Sequence, residues 1–135
     1  MKVAYISLLF LLSLSSIANA ETYIHGNSLA EIVIEGATIT IKYAQNHTGD
    51  TFSSPAPGGT IFEGGINKKT DEIGGTAYLF DRKCGVFPYS VYGRFEGVDW
   101  VLKLKGLAPV LDSKCRVVAY TPSGPNANLD FHKPE

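Results

Sequence analysis

Few residues in this chain have the types and spacing that chemistry requires, and two cysteines lead them. Cys84 and Cys115 are the only cysteines present. Redox-active pairs are usually close in sequence, as in C-x-x-C, and these two are too far apart for that. In an oxidising compartment such a pair forms a structural disulfide by default. Closing the loop between them contributes roughly 3–4 kcal/mol through lost chain entropy.

The histidines His25, His47 and His132 are spread along the chain. No two have the short spacing of a helical or hairpin metal site, so the expectation is three separate loop or edge residues and no metal. No G-x-S-x-G elbow occurs, and Ser54 and Ser123 sit in Pro-rich stretches with no histidine beside them. The pairs Gly58-Gly59, Gly64-Gly65 and Gly74-Gly75 lack the Gly-Lys-Ser/Thr and following helix of a phosphate loop. They read as bulges and hairpin turns. Glu96 and Asp99 flank a predicted turn, where acids are normally solvated. Asp81-Arg82-Lys83 reads as a surface turn before Cys84. Asn46-His47-Thr48 matches a glycosylation sequon, which matters only in a eukaryotic secretory pathway. These residues give no catalytic group and no cofactor, and a non-enzymatic protein is the expectation.

One constellation points to binding. Tyr78, Phe80, Tyr89, Phe95 and Trp100 fall on neighbouring predicted strands. Core packing explains them most simply. In a closed barrel, some would instead line a cavity for a small apolar ligand, with tyrosine hydroxyls as its few polar contacts.

The elements that position these residues are strands. Ala30, Ile32 and Ile34 alternate with polar or outward positions, as do Ala37, Ile39, Ile41 and Tyr43. Period-2 patterning means strands with one buried face. Glu35-Gly36 between them predicts a tight hairpin. Residues 45 to 59 are polar and rich in Gly, Ser and Pro, which predicts a long loop. Further strands are predicted over 60–63, 76–80, 87–95, 98–106 and 115–121, with an edge strand over 128–132. In the 98–106 segment Trp100, Leu102 and Leu104 share one face, with Asp99, Lys103 and Lys105 opposite. No segment keeps a helical period beyond one turn. The fold class expected is all-β: a small antiparallel barrel or two-sheet sandwich of seven to nine short strands with one disulfide, Cys84–Cys115.

The first twenty residues carry the pattern of an export signal. Lys2 supplies a positive start, and Val3 to Leu14 is apolar apart from Ser7 and Ser13. Ala18-Asn19-Ala20 matches a small-x-small cleavage site, so the mature chain is expected to begin at Glu21. The apolar run is short of the roughly 20 residues a bilayer span needs, and no second such run follows. The expected organisation is a signal peptide over 1–20 and one all-β domain over 21–135. The expected location is periplasmic or extracellular. Taking Lys2 from the 12 basic residues leaves 11 against 13 acidic ones, with no basic patch for nucleic acid.

Three segments together resemble small exported all-β domains of bacteria, a largely uncharacterised group. They are Gly75-Thr76-Ala77-Tyr78-Leu79-Phe80 with Cys84-Gly85, then Tyr89-Ser90-Val91-Tyr92-Gly93, then Leu102 to Pro109 with Cys115-Arg116-Val117-Val118. The resemblance covers roughly residues 30 to 132 and is anchored by the two cysteines. It implies a periplasmic or secreted β domain and transfers no catalytic residue. The functional expectation is an exported binding or interaction module for a protein or small-molecule partner. The alternative is a lipocalin-like carrier of a small apolar ligand.

Overall fold

The computed structural model describes residues 19–45 and 57–135. Residues 1–18 of the predicted 1–20 signal segment, the Asn46-His47-Thr48 sequon and most of the predicted 45–59 loop lie outside the described residues. Ten strands are present among the described residues: β1 Asn19–His25, β2 Ser28–Glu35, β3 Thr38–Tyr43, β4 Thr60–Ile66, β5 Ile73–Asp81, β6 Gly85–Glu96, β7 Val101–Gly106, β8 Ala108–Leu111, β9 Val117–Thr121 and β10 Asn128–Phe131. Eight of them form one antiparallel sheet in the order β1-β2-β3-β4-β5-β6-β7-β10, and β8 pairs only with β9. Among the described residues no helix is long and apolar enough to cross a membrane.

The sheet curls until its first and last strands meet. Ile24 donates to the His132 carbonyl at 2.6 Å, and His132 donates back to Ile24 at 2.9 Å. One bridge, rather than a full ladder, makes the barrel nearly closed. The 128–132 segment, expected at an edge, is therefore the closing strand. It pairs with β7 through Leu104–Leu129 and Leu102–Phe131. Those alternating apolar residues face the interior, so Leu129 and Phe131 are buried while Asn128 and Asp130 between them are exposed.

An eight-stranded barrel has an interior just wide enough for side chains to fill or for one small ligand. Here the middle is filled. Ile39, Ile41, Phe62, Ile73, Leu102, Leu104 and Phe131 are almost fully buried. Strands this strongly coiled approach one another closely, and glycine makes room at the tightest points. A Cβ on Gly93 would strike the Lys103 carbonyl of the neighbouring strand. The cross-strand pair Gly64–Gly75 is equally tight: a Cβ on either would meet backbone of the strand opposite. The Gly64-Gly65 pair, expected as a turn, thus lies inside β4, which runs on to Ile66.

The β8–β9 hairpin is an appendage inserted between β7 and β10. Its base is anchored by the buried Ala108 and Pro109, while Val117, Val118 and Tyr120 are exposed. Its tip is stapled by the Cys84–Cys115 disulfide, with Cα atoms 5.2 Å apart. Both cysteines sit in hairpin turns, not at strand ends, because an aspartate organises each turn. Asp81 accepts the N–H groups of Lys83 at 2.9 Å and Cys84 at 2.8 Å. Asp112 accepts those of Lys114 and Arg116, both at 2.9 Å. The Arg116 N–H holds the Asp112 carboxyl below the usual carboxylate range, against a smaller opposing effect of burial. Lys83 Nζ also donates to the Ser113 carbonyl at 2.7 Å, which adds a second tie between the two tips.

The intact purified protein is predicted to weigh two hydrogens less than its reduced form by mass spectrometry. Urea unfolding of the Cys84→Ser/Cys115→Ser variant should show a loss of about 3–4 kcal/mol. Free thiols on the purified protein would contradict the staple.

Candidate functional site at the barrel mouth

Strand direction sorts the turns onto two ends. The β1–β2 and β5–β6 turns and the β8–β9 hairpin lie at one end. The β2–β3, β4–β5 and β6–β7 turns lie at the other, where the described chain also begins at Asn19 and where Lys133 follows β10. This second end is not filled. A cavity of about 580 Å3 opens there, its walls made by side chains from β1, β2, β4, β5 and β6. Its volume falls in the range of small-molecule sites.

Each wall follows from the pleat. Inward positions alternate along every strand, so Ile32 and Ile34 of β2, Ile66 of β4 and Ile73 of β5 arrive on the aliphatic side. On the other side three aromatic rings stand in sequence. Tyr23 is 6.4 Å from Phe95, and Phe95 meets Trp100 edge-on at 6.0 Å. Tyr23 is buried, Phe95 half-buried, and Trp100 58% exposed at the rim. The Tyr23 hydroxyl donates to the Glu21 carboxylate at 3.2 Å. Burial, helped by Glu21, pushes its ionisation up to about 12, so it stays a neutral hydrogen-bonding group.

The rim is charged and conformationally constrained. Glu21 pairs with Lys133 at 3.7 Å. Lys68, Asp71 and Arg94 also line the opening. The β4–β5 turn that carries Lys68 and Asp71 is tied down. Asn67 donates to the Glu72 carbonyl at 2.8 Å and accepts from Asp71 at 2.7 Å. Its side chain accepts from the Lys69 N–H at 3.0 Å. Three non-glycine residues have positive φ among the described residues: Asp71 at 60°, Trp100 at 50° and Cys115 at 61°. Two of the three, Asp71 and Trp100, line this cavity. A bulky residue in the left-handed region costs about 1–2 kcal/mol and persists only where its surroundings hold it.

The five aromatic residues singled out from the sequence do not converge. Phe95 and Trp100 line the mouth. Trp100 does so from the β6–β7 turn and not from within a strand, because β7 starts only at Val101. Tyr89 lies buried toward the opposite end, where its hydroxyl donates to the Asn126 carbonyl at 2.6 Å. Tyr78 and Phe80 border a separate shallow depression with Gly59, Thr60, Glu63 and Val86. There the Tyr78 hydroxyl donates to Glu63 at 2.5 Å.

The sequence pattern places Ile32 and Ile34 on a buried strand face but marks neither them, Ile66, Ile73, Tyr23 nor the rim charges as site residues. The usable signal was the strand register. Once the turns are sorted onto two ends, the inward residue nearest each turn at one end is a lining candidate.

The remaining candidates have local roles. His25 stacks on Phe131 at 4.6 Å, and its Nδ1 lies 3.0 Å from the Asp130 carbonyl. His132 contributes its backbone to the closing bridge, and His47 lies outside the described residues. Glu96 pairs with Lys103 at 3.7 Å, while Asp99 is exposed in the turn before Trp100. Among the described residues no three His, Cys, Asp or Glu side chains are grouped to hold a metal ion. Comparisons with protein-family models, with curated proteins and with solved structures give no match.

Tyr89 supplies a pH test of the packing beneath the site. Burial, then the neighbouring Tyr43, pushes its ionisation up to about 12. The unfolded chain ionises near 10, so between pH 10 and 12 it has lost the proton that the folded chain keeps. Stability from this group is complete below pH 10 and declines through that window, by on the order of 2 kcal/mol once solvent screening is allowed for. Tyr89→Phe should cost about 1 kcal/mol at neutral pH through the lost hydrogen bond. Urea unfolding at pH 9 and pH 11.5 should show a shallower alkaline decline in the variant.

Proposed function

We propose that this protein is an exported, non-catalytic binding module whose site is the barrel mouth, where it holds a small molecule with an apolar body. The observation that carries the reading is the pairing of an apolar cavity with two left-handed residues, Asp71 and Trp100, on its rim. Strain of this kind is commonly kept where a side chain must face a ligand. The Tyr23–Phe95–Trp100 row offers ring faces and edges, and the isoleucines opposite offer a complementary aliphatic wall. Half of the fourteen lining residues are polar or charged and all of those are exposed, whereas Tyr23, Phe95 and the isoleucines are buried or half-buried, which suits recognition by shape and burial with orientation set at the rim.

The filled middle of the barrel defines the mode of binding. Phe62, Leu102 and Phe131 are fully buried in the core and none of them lines the cavity, which favours a ligand seated at the mouth over one threaded through a deep calyx. This refines the lipocalin-like alternative to a shallow, half-open carrier site. The disulfide and the apolar leader support the exported setting.

Trp100 is the only tryptophan in the chain, so its fluorescence reports on the mouth alone. Titration with the neutral probe N-phenyl-1-naphthylamine should quench it saturably with one site per chain, and native mass spectrometry should show the 1:1 complex. Phe95→Ala should weaken binding roughly fivefold, the equivalent of about 1 kcal/mol of lost ring contact. A linear, unsaturable response in a folded protein would contradict the reading.

A further inference from the structure

The β8–β9 hairpin leaves a strand edge uncovered. β9 pairs with β8 along one side, and among the described residues no other strand pairs with its second side. That side presents a row of backbone N–H and C=O groups to solvent. The successive residues Val117 to Tyr120 are all exposed, so neither face of the strand packs on the barrel. Nine large hydrophobic residues are exposed among the described residues, and five of them, Leu107, Val110, Val117, Val118 and Tyr120, lie in or beside this hairpin. Their concentration in one place, at the end opposite the mouth, marks a contact surface.

The edge also has the composition of a strand that pairs. It reads Val-Val-Ala-Tyr-Thr, with high β propensity, no charge, no glycine and no proline. Exposed edges are usually blunted by a lysine, a proline or a bulge. Within β9 only the last is present: the register shifts at Val110/Leu111 and leaves Val118 as the extra residue.

We propose that the chain dimerises by antiparallel pairing of β9 with β9 of a second copy. Charge and symmetry select that occupant. Turned about a two-fold axis at Ala119, the edge sets Val117 opposite Thr121, Val118 opposite Tyr120 and Ala119 opposite itself. No like charges meet in this register. The next pair sets Arg116 against Pro122, and Arg116 is already paired with its own Asp112 at 2.9 Å. Such a contact is isologous and stops at two copies. Five paired residues and their neighbours cover on the order of half of the roughly 800 Å2 per partner of a stable interface, so the dimer is weak, with a Kd on the order of 100 µM. Both mouths lie at the far ends and stay open.

Sedimentation velocity over about 10 µM to 1 mM, spanning that Kd, tests the proposal. The native protein should pass from monomer to dimer, and amide hydrogen exchange at 117–121 should slow as concentration rises. Val118→Lys/Tyr120→Lys sets like charges opposite each other twice and should stay monomeric throughout. Val118→Lys/Tyr120→Glu sets each lysine opposite a glutamate and should return to within about threefold of the native Kd. Val118 and Tyr120 are each 60% exposed, and far-UV circular dichroism checks that both variants fold. A native protein that stays monomeric to the top of the range would overturn the proposal. So would a Lys/Lys variant that still dimerises, a Lys/Glu variant that does not, or growth beyond the dimer.

Discussion

The closure of the sheet on itself is the constraint on which the rest of the structure depends. Two hydrogen bonds between Ile24 and His132 join β1 to β10 at one bridge and bring together the two edges that an open eight-stranded sheet would hold apart. Once the sheet is closed, every second side chain must point inward. The interior is then defined by which of those residues are large. Phe62, Phe131, Leu102, Leu104 and the core isoleucines fill the middle, while Gly64, Gly75 and Gly93 let neighbouring strands come close enough to coil. The mouth is what remains above that plug.

The two ends of the barrel solve different problems. At the β5–β6 end, Asp81 and Asp112 shape two turns that the Cys84–Cys115 bond and the Lys83–Ser113 hydrogen bond then tie together. That end holds the β8–β9 hairpin, which otherwise buries little beyond its base. At the opposite end no covalent tie is present among the described residues, and the turns instead present side chains. Trp100 and Asp71 occupy backbone conformations that most residues avoid, and both face the opening. Separating the staple from the opening lets one end be rigid while the other keeps unfilled space.

Much of this was legible in the sequence because period-2 patterning is a local property. The alternation Ala30-Ile32-Ile34 and the run Leu102-Leu104 identified inward faces correctly, and Gly36 marked the β2–β3 turn with a φ of 61°. The disulfide followed from there being two cysteines behind an export-like leader. Other features depend on non-local facts. β1 carries polar Asn19, Glu21 and Thr22 on a short run, and only its ladder with β2 reveals it. β8 is four residues long and contains Pro109, which argues against a strand until β9 pairs with it. Trp100 fitted the alternation of the next strand so well that its place in the turn was hidden. Its left-handed backbone shifts it from the core face to the rim. The site was half visible for the same reason: Phe95 and Trp100 lie on strong patterns, whereas Lys68 and Arg94 join them only through the register of separate hairpins.

The central claim is that the barrel mouth is where this protein binds its ligand. Amide chemical-shift mapping by NMR during titration with N-phenyl-1-naphthylamine tests it most directly. The account predicts perturbations concentrated at Tyr23, Ile34, Ile66, Asp71, Phe95 and Trp100, with Val117 to Thr121 unchanged. Perturbations centred on the β8–β9 hairpin, or spread evenly over the outer face, would contradict it.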